Sequence, residues 1–194
     1  MSNPESDPHS PLAEPAEPAE STSAPGTLSL EQIDAAWARA EAAQQDVSST
    51  WAGNLLTQQR DLTAFVLEML AGQDEDAAAL GLHLLLVAVD AFQSAHPNLK
   101  RVRQPAILRG HAAAVAFLEE LEAKADEDSP PEFREPILME LMLGVIGEAT
   151  PESDPDQPNE LRLQLLLAML TVTEALHEGT RPGNSLPVMK RRRR

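Results

Sequence analysis

Residues 76–96 read DAAALGLHLLLVAVDAFQSAH, and Leu, Val, Ala and Phe occupy nearly every side of the helix that this stretch would form. A surface helix keeps a polar face in water, so a segment apolar all round belongs at the centre of a fold. Only His83 and Asp90 interrupt it, seven residues apart and on the same side of a helix. A second stretch of the same kind, ELRLQLLLAMLTVTEALH, occupies residues 160–177. Laid on residues 79–96 at a spacing of 81, it places Leu161, Leu163, Leu165, Leu166, Leu167 and His177 on Leu80, Leu82, Leu84, Leu85, Leu86 and His96. One helix earlier, a spacing of 76 puts Leu138, Leu141, Met142, Val145 and Ile146 on Leu62, Phe65, Val66, Met69 and Leu70. These matches predict an all-α protein, a compact bundle of about six helices arranged as two tandem three-helix units over 28–103 and 104–189. The two apolar helices are expected to pack together in the middle.

Working outward, Ser29 and Gln32 have the spacing of a capping box, with Leu30, Ile33, Trp37 and Ala40 at helical intervals behind them. A second helix is expected to run from about Leu55 to Leu70, where Gly72 accepts the left-handed conformation that ends helices. The loop GQDED caps the third helix. Pro105 opens a fourth, whose face carries Ile107, Leu108, Val115, Leu118 and Leu121. Ile137 to Ile146 marks a fifth, and Asn159 caps a sixth reaching His177. Residues 1–27 form a Pro-, Ala- and Glu-rich arm with little to bury, expected to be disordered, and the helical domain occupies 28–178. Residues 179–194 show no period and end in KRRRR, an irregular basic tail.

Composition narrows the chemistry. There are four Phe, two Trp, no Tyr and no Cys, so disulfides, thiolate metal sites and a cysteine nucleophile are excluded, and sheets are disfavoured. The formal net charge is −16. Met1–Gly26 carries five acids and Lys190–Arg194 five bases, so the ends cancel and the segment between them holds the whole excess. Such a body repels nucleic acid and anionic lipid, leaving local basic features as the exception. The apolar runs LLLVAV and LLLAML fall short of the roughly 18 residues of a membrane span, and no leader pattern opens the chain. A cytoplasmic protein is expected.

Few residues suggest a reaction. Glu174 and His177 share one helical face in the Glu-x-x-His spacing of di-iron bundles, but no second such motif exists, so they are read as a surface pair and no metal or cofactor is expected. Asp90 reads as an anchor for an arginine, with Arg60 and Arg162 the candidates; a small helical enzyme centred on His83 and Asp90 is an alternative that requires an open pocket beside them. Nucleotide, nucleophile-elbow and metalloprotease motifs are absent. Between His96 and His111 lie Lys100, Arg101, Arg103 and Arg109 and no acid. Together with Lys190, Arg191, Arg192, Arg193 and Arg194 they make two basic exits from the two central helices. The expected function is a non-enzymatic protein-interaction module, an adaptor or accessory subunit, in which these cations supply electrostatic contact to a protein partner. The alternative is a nucleic-acid accessory protein gripping phosphates through the same residues. The opposed charges of the two ends also point to self-association into a homo-oligomer.

Overall fold

The computed structural model describes residues 27–45, 50–124, 131–150 and 159–180. They form seven helices and, among the described residues, no strand: α1 (Leu30–Gln45), α2 (Thr50–Gln58), α3 (Arg60–Met69), α4 (Glu75–Ala95), α5 (Gln104–Ala123), α6 (Pro136–Ala149) and α7 (Glu160–Thr180). Local chemistry sets most boundaries. The Ser29 amide donates to Gln32 Oε1 at 2.9 Å while the Gln32 amide donates to Ser29 Oγ at 3.3 Å, which closes the capping box and satisfies two amides at the helix start. Asp74 Oδ1 accepts from Ala77 at 2.8 Å to cap α4, and Asn159 Oδ1 accepts from Arg162 at 3.2 Å to cap α7. Gly72, at φ 95°, makes the left-handed turn after α3.

Three expectations are corrected. The helix expected from Leu55 to Leu70 is broken at Gln59, whose φ of −106° and ψ of 38° leave the helical region, so six helices become seven. α7 continues past His177 to Thr180, so the first residues assigned to an irregular tail are helical. Leu108 is 63% exposed, and α5 instead buries Ala106, Ile107, Gly110 and Ala114.

α4 and α7 lie side by side and parallel: the Phe92 ring meets the His177 ring edge-on at 5.0 Å near one end, and Gly81 faces Leu165 near the other. α1, α3, α5 and α6 run antiparallel to them. Twelve of the 21 residues of α4 are buried, consistent with a helix apolar on all sides. By length and composition alone α4 could cross a membrane, yet 67% of its apolar window is buried by the other helices. α5 approaches α7 most closely, because Gly110 lets backbones meet: a Cβ there would sit 2.9 Å from Thr171 O and 3.0 Å from Ala175 N.

The spacings of 76 and 81 reappear in three dimensions, joined by a third of 74 between α1 and α5. Leu28, Ile33, Ala36 and Ala40 are buried, and so are Val102, Ile107, Gly110 and Ala114. Leu28 and Val102 each precede the cap residue of their helix, Ile33 and Ile107 each occupy the fourth helical position, and these are the positions of a hydrophobic staple. Among the described residues α2 has no helical counterpart.

Candidate functional site

The two halves are tied together by a reciprocal pair of buried side chains at helix starts. Gln59, before α3, accepts the Val102 amide on Oε1 at 2.9 Å and donates from Nε2 to the Lys100 carbonyl at 3.4 Å. Glu135, before α6 and 76 positions later, accepts the Leu28 amide on Oε2 at 2.8 Å. Each residue thus holds the amide that leads into the first helix of the other half. Gln59 is 2% exposed and Glu135 1%. Where Gln59 closes its second contact with an amide group, Glu135 faces the imidazole of His177, with Oε1 and Nε2 2.9 Å apart, close as an ion pair but not aligned as a hydrogen bond. His177 is therefore a buried partner of Glu135 and not half of a surface pair with Glu174. Glu174 instead meets Arg134 at 3.2 Å.

His83 and Asp90 are both buried, and both face α1. The partner of Asp90 is Arg39, whose Nε donates to Oδ2 at 2.7 Å while its Nη2 reaches Ser94 at 3.3 Å; neither Arg60 nor Arg162 takes that place. Arg60 lies 3.8 Å from Asp61. His83 Nδ1 is 3.0 Å from the Gln44 amide nitrogen, and Trp37 packs edge-on against its ring. Burial holds the His83 imidazole below its ordinary value, against a smaller opposing pull from Glu41. The two residues are packed and paired, and neither lines any of the three grooves described next.

A groove of about 450 Å³ runs between α3 and α5, lined by Phe65, Met69, Ile107 and Leu108, with Asp61, Glu68 and His111 at its edges. A second, of about 350 Å³, runs between α1 and α6 over Leu30, Ile137, Leu141 and Val145, edged by Asp34, Glu140 and Glu148. These are equivalent places: residues 61, 64, 65, 68 and 69 of the first become 137, 140, 141, 144 and 145 of the second at 76, and 104, 107 and 108 correspond to 30, 33 and 34 at 74. Their electrostatics differ. Arg101 binds Asp61 at 2.6 Å in the first, whereas Asp34, Glu140 and Glu148 are exposed and meet no cation among the described residues. A third, smaller recess lies beside Phe117, Phe133, Glu135 and Thr173.

The basic island between α4 and α5 is divided. Arg101 is half-buried on Asp61, and Arg109 holds Glu178 at 2.9 Å, while Lys100 and Arg103 are exposed. Gly179 packs on this linker, its Cβ position 3.4 Å from both Leu99 and Val102 and 3.7 Å from the Lys100 carbonyl. α7 therefore leaves the fold beside Lys100. Lys190 to Arg194 and the N-terminal arm lie outside the described residues. Among the described residues no three His, Asp or Glu side chains converge as a metal centre would require.

Arg39, Gln59 and Glu135 were not legible as functional positions. Glu135 directly precedes Pro136, which marks a helix start, but nothing local announces its burial. No protein-family model, curated protein or solved structure matches this chain.

Proposed function

We propose that this chain is a non-enzymatic interaction module built from two helical halves, α1–α4 and α5–α7, and that a protein partner docks an apolar segment into the groove between α3 and α5. The observation that carries this reading is the exposure of Leu108 beside Phe65 and Met69 on a helix that packs through Ala106, Ile107, Gly110 and Ala114. A large apolar side chain standing outside the core, over a cleft of this size, is the arrangement of helix-in-groove recognition. The exposed Lys100 and Arg103, on the linker that leads into Gln104 at the groove's edge, would steer an acidic flank of the same partner.

The test is capture from nuclease-treated native lysate by the full chain and by Leu108→Asp. Because Leu108 is exposed, the variant keeps its fold, and a partner retained by the full chain should fall at least tenfold in recovery. Equal recovery overturns the groove as the docking site.

A second reading follows from the contact of Gly179 with the basic linker, which brings the root of the C-terminal segment next to Lys100 and Arg103. Phosphates of a nucleic acid could be gripped by both basic exits at once. That reading expects retention of RNA or DNA from untreated lysate, weakening steeply between about 50 and 200 mM salt and lost when the chain is ended at Met189.

A further inference from the structure

We infer that the groove between α1 and α6 receives this chain's own segment 185–194, SLPVMKRRRR, bound in cis. The inference rests on reading the two grooves as docking surfaces, but its test needs no partner, so its failure would leave partner capture between α3 and α5 standing.

The groove asks for a ligand that is apolar first and cationic after. Its floor is Leu30, Ile137, Leu141 and Val145, and three exposed carboxylates that meet no cation among the described residues, Asp34, Glu140 and Glu148, stand along it. The segment supplies Leu186, Val188 and Met189 followed directly by five cations.

The fold also delivers the segment to the groove's entrance. His177, one turn before the end of α7, contacts Glu135 at the start of α6, and Leu28, two residues before Leu30, donates to that same carboxylate. Thr180 therefore leaves the bundle at the end where Leu28 and His177 meet Glu135 and where Gly179 packs on the linker before α5, so the start of the α1–α6 groove is within its reach. Residues 181–189 span up to about 30 Å when extended, whereas Ile137 to Glu148 covers only about 17 Å of helix. The cations reach Glu140 and Glu148 with slack to spare.

The equivalent groove between α3 and α5 has less of this attraction. Arg101 pairs with Asp61 there, which leaves Glu68 against the three carboxylates of the other groove, and the exposed Lys100 and Arg103 lie on the linker that leads into Gln104 at its edge, so a positively charged segment is held less strongly. A short tether raises the effective concentration to the millimolar range, so contacts too weak to hold two separate molecules suffice within one. The bound segment would keep this apolar stripe covered and would leave when salt screens the carboxylates.

The chain has no cysteine, so two introduced thiols are the only ones present. Gly144 stands on the groove with nothing within 4 Å of its Cβ position, so a side chain fits there. In the full chain, Gly144→Cys with Met189→Cys should close an intramolecular disulfide in a glutathione buffer at least tenfold faster than Ala64→Cys with Met189→Cys, which probes the other groove. Leu30→Cys, on the opposite wall and exposed, provides a second reading should the Gly144 variant fold poorly. The advantage should collapse at 1 M salt and in a Glu140→Lys, Glu148→Lys background. Equal rates for the two grooves, or an advantage that survives charge reversal, overturn the assignment. Disulfide-linked dimers as the main product overturn binding in cis.

Discussion

The half built on α4 and the half built on α7 each place three helices in corresponding registers, α2 aside, and seal them with different chemistry. Ahead of α3, a neutral Gln59 satisfies both a donor and an acceptor of the linker that enters α5. Ahead of α6, Glu135 does the acceptor's part and leaves a second oxygen that faces His177. Midway along the central helices, Asp90 recruits Arg39 from α1, whereas Thr171, 81 positions on, turns its hydroxyl back to the Leu167 carbonyl at 2.8 Å. The grooves diverge in the same manner, one keeping Glu68 after Arg101 pairs with Asp61 and the other edged by three carboxylates. Backbone placement in this fold is set by apolar and small residues, which agree between the halves. Charge is set by residues that do not agree, so two similar clefts are free to take different ligands.

The comparison breaks most severely at the closest helix crossing. Gly110 and Ala36 are equivalent, but where Ala36 already carries a Cβ, one at Gly110 would sit 2.9 Å from Thr171 O, so Gly110→Leu drives a side chain into α7 and should cost about 3 kcal/mol or more. Ala36→Gly should cost only about 1 kcal/mol. Urea denaturation of the two variants checks the ratio, and equal losses would mean that α1 and α5 are packed alike.

Exchanging the two cap residues sharpens the comparison further. Gln59→Glu places a carboxylate in a buried site where the glutamine met a backbone amide and a backbone carbonyl, at a cost of about 2 to 4 kcal/mol near neutral pH. Glu135→Gln keeps an acceptor for the Leu28 amide and loses only the contact with His177, about 1 kcal/mol. Chemical denaturation of both variants should show this inequality, and a larger loss for Glu135→Gln would place the stabilisation in the ion pair instead.

The smallest effect concerns pH. Because burial lowers the folded-state value of His83, the neutral imidazole contributes stability that is fully present above its ordinary value of 6.5. That contribution is lost as pH falls through 6.5 toward the lowered folded value. His83→Gln removes the titrating group while keeping a polar side chain for Gln44, so it should flatten the decline in the urea midpoint between pH 7 and pH 5. An unchanged decline would assign the acid sensitivity to other groups.

Much of the fold was legible in the residues. The all-round apolarity of 76–96 and 160–177 marked the central helices, and Ser29, Asp74, Asn159 and Gly72 marked ends, because periodicity and capping act within a few residues. The correspondence of α1 with α5 was not legible: its conserved feature is burial of Ala36, Ala40, Gly110 and Ala114, and small residues carry almost no hydrophobic signal. The amphipathic pattern also assigned Leu108 to the packed face, since it reports which residues are apolar and not which side the neighbouring helix takes.

Read alone, the sequence determined an all-helical chain, two buried central helices and most helix starts. Only the tertiary structure decided that Gln59 breaks a helix, that Arg39 rather than Arg60 or Arg162 answers Asp90, and that Glu135 and His177 meet. Their partners lie 43, 51 and 42 positions away along the chain. A buried polar group needs a partner, but its own neighbourhood in sequence does not say from where. That choice is made by which helices pack against each other, and packing is settled by the shapes of small and large side chains across the whole bundle.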